Sequence, residues 1–222
     1  MNRRLHKYLE SGALWPLMAL LIAVSLWFGV KAGGGGLLRN EHAPNGIVSL
    51  ELAGSAEAAA KIVKSWNRPA PYEKSEETDE EVKSTLLDVA RESIIYDYFF
   101  ILFYTVTLAL GCLISADIID ARHETLKRLG MVRIGWALIY AQVLVAAMDA
   151  TENVALWNML QGSGASFWPT LARWCAMIKF GLIATSLLYM LLVFIIWIGE
   201  SYKRRPFAVM TGQRLGGPPR IK

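Results

Sequence analysis

The chain has 222 residues, of which 54% are hydrophobic and 19% charged, and its formal net charge is +4. Soluble domains carry about a quarter charged residues, so this composition indicates an apolar surface that is buried in lipid. A basic chain can bind nucleic acid, but here the basic residues flank apolar runs and form no separate basic domain. We therefore exclude nucleic acid as a partner and expect contact with membrane lipids.

Four apolar runs are long enough to cross a bilayer, which takes ~20 residues. They cover about residues 11–30, 97–116, 134–160 and 174–198. The first run follows a basic segment, as in a signal peptide, but it exceeds the usual apolar region of about 7–15 residues and no small-residue cleavage site follows it. We predict an all-α integral membrane protein, a four-transmembrane-helix bundle forming one membrane domain over residues 1–222.

The distribution of Lys and Arg predicts the orientation of this bundle. These residues are concentrated before the first run, between the second and third runs, and in a basic tail at 199–222, whereas the third and fourth runs are joined by a loop with Arg173 alone. The positive-inside rule places the first three of these segments in the cytoplasm. We expect a multi-pass protein of the cell inner (plasma) membrane, with N- and C-termini cytoplasmic and residues 31–96 outside.

The long loop at residues 31–96 predicts two helices. Residues 49–66 are alanine-rich, with apolar side chains at helical spacing: Leu52, Ala56, Ala59, Ala60 and Val63. After a proline-containing break, Thr78 and Glu81 have the spacing of a capping box, which predicts one helix from about residue 79 through the second span. We expect the two helices to form a small helical extracytoplasmic cap between spans 1 and 2; a mobile loop is the alternative.

Polar residues inside the predicted spans are the candidate site. Ionisable residues within a membrane are energetically costly and are functional candidates by default. At 1.5 Å of rise per residue, Asp149 lies roughly 22 Å from the start of span three, and the other ionisable positions also fall in the outer third of the membrane. Helical spacing places several of these side chains on one face. The predicted ligand-binding or polar network consists of Asp97, Gln142, Asp149, Glu152, Asn153 and Lys179.

Other polar residues of the second span, the cysteines and the histidines are interpreted separately from this network. Tyr96, Tyr104 and Thr107 of the second span could join it. Cys112 and Cys175 fall at different depths, too far apart for a disulfide, and we interpret both as packing residues. The three histidines are scattered over both sides of the membrane, so we predict no metal site and no cofactor.

Three functions and one structural interpretation remain open from these residues. The first is a non-catalytic site that binds a lipid, a small molecule or a partner helix, in a homo-oligomer or with a membrane partner protein. The alternatives are a membrane-embedded enzyme with Asp149 and Glu152 as paired carboxylates acting on a lipid-like substrate, or a proton- or ion-coupled transporter acting as an oligomer. The structural interpretation is that the polar residues hold the helices together and bind no ligand.

Overall fold

The computed structural model describes residues 14–70 and 85–210, and every regular element in these ranges is helical. The basic N-terminal segment, the Thr78–Glu81 pattern and the end of the tail lie outside the described residues. A single turn of 3-10 helix, Gly34–Gly36, follows the first α-helix. The α-helices, in chain order, are α1 (Leu14–Ala32), α2 (Ile47–Glu51), α3 (Ala56–Trp66), α4 (Leu86–Arg122), α5 (Glu124–Arg128), α6 (Met131–Leu160) and α7 (Phe167–Met210).

Three of these helices are long and apolar enough to cross a membrane: α4, α6 and, in α7, the stretch Phe167–Gly199. They contain the predicted second, third and fourth spans, and each extends beyond the predicted bounds. The first predicted span corresponds to α1, whose apolar part, Pro16–Ala32, is shorter than the other three. The structure thus supports a helical membrane protein, with three helices that meet the length required for a span.

Helix α4 is the centre of the bundle, because it packs against α1, α6 and α7, and α6 also packs against α7. Helix α1 lies on α4 through aromatic rings: the Phe28 ring centroid is 5.3 Å from that of Phe99 and 5.4 Å from that of Phe103, with both pairs stacked. The central trio α4, α6 and α7 is therefore the part of the bundle that brings the polar candidates together.

Close helix packing near α5 depends on small residues. A Cβ atom added to Gly135 of α6 would lie 2.5 Å from the Tyr189 hydroxyl and 2.8 Å from the Ala116 Cβ atom. The Tyr189 hydroxyl donates a hydrogen bond to the Met131 carbonyl at 3.2 Å. Around this contact the buried cluster is apolar and includes Cys112 and Leu138. Glycine at position 135 is what lets three helices approach this closely.

The single helix predicted at residues 49–66 is wrong, because the structure has two helices, α2 and α3. Gly54 between them has φ of +68°, a conformation that a helix cannot include. The side chain of Ser55 then accepts a hydrogen bond from the Ala58 amide at 3.2 Å and caps α3. The predicted apolar face is wrong in part: Leu52 and Ala60 are exposed, and the buried face of α3 is Ala59, Ile62 and Trp66.

The prediction of one continuous helix from about residue 79 into the second span is also wrong. Helix α4 begins at Leu86, because Thr85 has an extended backbone (φ −91°, ψ 159°). Thr85 and Asp88 form a reciprocal capping box: the Thr85 side chain accepts from the Asp88 amide, and an Asp88 carboxylate oxygen accepts from the Thr85 amide at 3.0 Å. The cap satisfies amides that would otherwise lack partners at the helix start.

Residues 33–70, which we call the connecting segment, pack on one end of the trio α4, α6 and α7. Trp66 is fully buried there, and its indole nitrogen donates a hydrogen bond to the Leu38 carbonyl at 2.8 Å. Leu50 of α2, Leu86 of α4 and Leu156 of α6 belong to the same apolar cluster. This packing holds α2 against the end of the trio that carries the polar candidates.

Candidate functional site: a buried charge cluster

Lys179 of α7 is the centre of a cluster of ionisable side chains. Its Nζ atom lies 2.5 Å from Asp149 Oδ1, 2.9 Å from Glu152 Oε2 and 3.7 Å from Glu51 Oε2. Asp149 and Glu152 are three residues apart on α6, so helical geometry places both on the face that contacts α7. Glu51 is the last residue of α2, so the connecting segment contributes directly to the cluster.

All four charged side chains in contact are removed from solvent within the protein. Glu152 is 0% exposed, Asp149 2%, Lys179 6% and Glu51 8%. Asp149 is the best-satisfied carboxylate, because Lys179 donates to its Oδ1 atom and the Tyr104 hydroxyl of α4 donates to its Oδ2 atom at 2.7 Å. The cluster therefore joins α4, α6, α7 and the connecting segment through one buried network.

Asp97 and Asn153 form the adjoining part of the network. The Asn153 amide donates to Asp97 Oδ2 at 2.7 Å. Asn153 is buried, whereas Asp97 is partly exposed. Within residues 14–70 and 85–199, no Lys or Arg nitrogen lies within 4 Å of the Asp97 carboxylate. Asp97 is thus a carboxylate without a direct counter-ion, at the accessible edge of the cluster.

Gln142 is buried but lies apart from the ion pairs. Its side-chain amide donates to Ser186 Oγ at 2.9 Å and to the Leu138 carbonyl at 3.1 Å. It is two helical turns from Asp149, roughly 10 Å along α6. The structure therefore brings Asp149, Glu152 and Lys179 into one ion-pair cluster, places the Asp97–Asn153 hydrogen bond beside it, and leaves Gln142 as a separate contact between α6 and α7.

Of the three residues of span two that could join the network, only Tyr104 contacts it. Tyr96 packs against α1, with its ring centroid 6.4 Å from that of Trp27. Thr107 donates to the Phe103 carbonyl at 2.7 Å and also faces α1. Tyr104 lies seven residues after Asp97, two turns along the same helical face, and this spacing is the sequence signal that separates it from the other two.

Sequence reasoning missed Glu51. Its neighbours Leu50 and Leu52 are apolar, and the predicted helix at 49–66 assigned burial to the face that carries Leu52. In the structure Leu50 is fully buried and Leu52 is 42% exposed. Because α2 is a separate five-residue helix, its orientation is set by docking on α6 and α7. The sequence signal that could have identified Glu51 is its position as a single acidic residue between two leucines.

The cluster contains more acid than base. Among the described residues, the carboxyl groups of Glu51, Asp149 and Glu152 lie within 4 Å of the Lys179 ammonium, and Asp97 adds a fourth carboxyl group without a direct counter-ion. Three buried carboxyl oxygens have no hydrogen-bond partner: Glu51 Oε2, Glu152 Oε1 and Glu152 Oε2. For Glu152 Oε2, the 2.9 Å approach to Lys179 is an ion pair without hydrogen-bond geometry. Uncompensated buried charge is costly, so this arrangement favours binding of positive charge.

The described part of the chain has no group of three His, Cys, Asp or Glu side chains arranged to hold a metal ion. The position between the carboxylates of Glu51, Asp149 and Glu152 is occupied by the Lys179 ammonium. Cys112 and Cys175 are both buried and do not form a disulfide. The interactions that these side chains form are ion pairs and hydrogen bonds.

Comparison of the chain with protein-family models, with curated proteins and with solved structures gives no match.

Proposed function

We propose that the protein is a multi-pass inner-membrane protein that binds a positively charged group at the buried cluster, without catalysing a reaction. In this proposal α1, α4, α6 and α7 cross the membrane, both termini are cytoplasmic, and the connecting segment is an extracytoplasmic cap over the site. Support for the orientation comes from basic residues around α5, at Arg122, Lys127, Arg128 and Arg133, whereas the connection between α6 and α7, residues 161–166, contains no Lys or Arg.

The excess of carboxyl groups carries this proposal. Lys179 can neutralise only one of the carboxylates around it, and it already contacts three. Moving an isolated ion out of water costs several kcal/mol of free energy, unless a partner of opposite charge compensates for the lost hydration. A cationic ligand supplies such a partner, whereas an anionic ligand would add to the imbalance.

Asp97 is the position at which we expect the ligand to bind. It is the accessible carboxylate of the cluster and has no counter-ion of its own in the described residues. Phe100 and Tyr104 follow it on one face of α4, with ring centroids 4.8 Å apart. A carboxylate beside aromatic rings is a favourable environment for an ammonium group, because ring faces attract cations. The ligand class is therefore a primary amine, from a lipid headgroup or a soluble molecule.

The geometry gives less support to the enzyme alternative. Asp149 and Glu152 both contact the Lys179 ammonium, and both are at most 2% exposed. An acid–base pair needs two carboxyl groups whose environments separate their roles. Here one ammonium group serves both carboxylates, and a substrate would have to displace it.

Native mass spectrometry in mild detergent tests the proposal, with phosphatidylethanolamine, phosphatidylglycerol and soluble ethanolamine as probes. The variant is Asp97→Asn, which removes the charge and keeps an oxygen that accepts from Asn153. The control is Glu57→Gln, the same charge change on the exposed face of α3. We expect binding of an amine-bearing probe by the native protein and the control, and about tenfold weaker binding by Asp97→Asn, equivalent to about 1.4 kcal/mol.

The probes also distinguish the source of the amine. Competition by ethanolamine indicates a soluble ligand, whereas binding of phosphatidylethanolamine without such competition indicates a lipid. Equal binding of phosphatidylglycerol and phosphatidylethanolamine, or equal binding by Asp97→Asn and the native protein, would overturn the proposal.

A further inference from the structure

The carboxyl groups of Glu51 and Glu152 are the least satisfied part of the cluster. Both residues are more than nine-tenths buried, and three of their four carboxyl oxygens lack a hydrogen-bond partner. Both lie against the same ammonium, at 3.7 Å and 2.9 Å from Lys179 Nζ. Because both carboxyl groups lie within 4 Å of the same ammonium nitrogen, they are neighbours in the cluster. Two carboxylates cannot hydrogen-bond to each other unless one of them carries a proton.

We infer that Glu51 and Glu152 form a binding site for one proton, shared between the two carboxyl groups, which fastens the connecting segment to the bundle. This site is separate from the amine site at Asp97 and does not depend on it. The proton neutralises one negative charge. It also turns one acceptor oxygen into a donor, which supplies the missing hydrogen bond between the two carboxyl groups. A neighbouring like charge disfavours the ionised form of a buried carboxyl group.

The surrounding groups identify this pair as the place for the proton. Lys179 of α7 contacts Glu152. The other titratable groups that interact electrostatically with the pair are Cys175 of α7 and Asp97 and Tyr104 of α4. Asp149 of α6 already accepts from both Lys179 and Tyr104, so an added proton would compete with two existing donors. Asp97 accepts from Asn153 and is partly exposed. The orphaned oxygens of Glu51 and Glu152 accept no hydrogen bond, so a proton there breaks none.

Glu51 belongs to a short separate helix, so its contact with Glu152 is a tertiary contact between the connecting segment and α6. Helix α2 is five residues long, and it lies between Gly46 and Gly54, which have φ of +61° and +68°. Glycine adopts such angles without steric cost, so these two residues bound the short helix on either side and separate it from α3. Because the docked state holds the proton, acid favours docking, and alkaline pH favours release of Glu51 from Glu152.

Infrared spectroscopy of the full chain in lipid detects the proton directly, through the carbonyl stretch of a protonated carboxylic acid and its shift in heavy water. At neutral pH we expect this band in the native protein and its loss in Glu51→Gln and Glu152→Gln. In either variant the amide N–H replaces the proton as the hydrogen-bond donor. Glu57→Gln, on an exposed glutamate, and Asp97→Asn should keep the band.

Three results would overturn the inference: no such band in the native protein, a band that persists in both glutamine variants, or its loss in Asp97→Asn. Glu51 lies outside the long helices, so Glu51→Gln still provides the test if Glu152→Gln does not fold. An unchanged amine-binding pattern alongside a missing infrared band would refute the proton site and leave the proposal for Asp97 intact.

Discussion

The two ends of the α4–α6–α7 trio are held together by different chemistry. At the end near α5, Gly135 meets Ala116 and Tyr189, and the surrounding cluster is apolar. At the connecting-segment end, Lys179 meets Asp149, Glu152 and Glu51. Close apolar packing needs only small residues, which is the usual solution between helices in lipid. Buried charge is costlier than apolar packing, and this difference supports the proposal of a binding site at the charged end.

Lys179→Met should have the largest effect on stability of any single substitution at either end of the trio. It removes the only ammonium group of the cluster and leaves three buried carboxyl groups around an apolar side chain. We expect a loss of about 3–5 kcal/mol in the free energy of unfolding, the cost of stranding a buried charge. Unfolding by sodium dodecyl sulfate in mixed micelles measures it, with the exposed Lys61→Met as control.

A second substitution sharpens the interpretation of that loss. If stranded charge is the cause, adding Glu152→Gln to Lys179→Met should recover part of the stability, a coupling that a double-mutant cycle measures. Purely additive losses would mean that Lys179 stabilises the bundle through packing of its side-chain stem.

Gly135→Ala tests the opposite end of the trio. The added methyl group would overlap the Tyr189 hydroxyl and the Ala116 methyl group, and helices on both sides restrict any shift. We expect a loss of ~1–3 kcal/mol, typical of overpacking. Gly181→Ala on α7 is the matched control, because a Cβ atom there meets nothing within 4 Å. Equal effects of the two substitutions would show that helix propensity, and not the close approach, determines the result.

Tyr104→Phe should have a smaller effect than either of these substitutions. It removes one hydrogen bond to Asp149 and leaves the ion pair with Lys179 in place. We expect a loss of about 1 kcal/mol, in the range of single hydrogen bonds between membrane helices. Tyr140→Phe, at a side chain that is 70% exposed, controls for the loss of a hydroxyl. A loss as large as that of Lys179→Met would make Tyr104 the main support of the Asp149 carboxylate.

The three long apolar helices, and the face that Asp149, Glu152 and Asn153 share, could be predicted from sequence because they depend on local periodicity. Asp149, Glu152 and Asn153 share a face through helical spacing alone, and long apolar runs mark α4, α6 and α7. Glu51 could not be placed in this way, because the docking direction of a five-residue helix depends on tertiary contacts. The start of α4 was missed for another reason: in the sequence the apolar spacing runs across Thr85, whereas in the structure the capping box at Thr85 begins the helix. The Thr85 and Asp88 pattern was present in the sequence, but Thr78 and Glu81 competed with it.

The smallest expected effect is at an ion pair outside the cluster. Glu57 and Lys61 of α3 are 2.7 Å apart, but their side chains are 81% and 64% exposed. The hydrogen bond from Lys61, together with its positive charge, lowers the pKa of Glu57 below its ordinary value. A carboxyl with a lowered folded-state pKa contributes stability above its unfolded pKa, and this contribution is lost as the pH falls through the folded value. Water and salt screen an exposed pair, so the contribution is small throughout.

Glu57→Gln should therefore leave the free energy of unfolding at neutral pH unchanged within error. Only a slight flattening of the stability profile is expected, at pH values below the usual range of a glutamate. Unfolding measured from neutral to acidic pH, beside the native protein, checks this. A neutral-pH loss approaching that of Lys179→Met would mean that burial does not distinguish the two ion pairs. The acid excess around Lys179 would then lose its significance as the mark of a binding site.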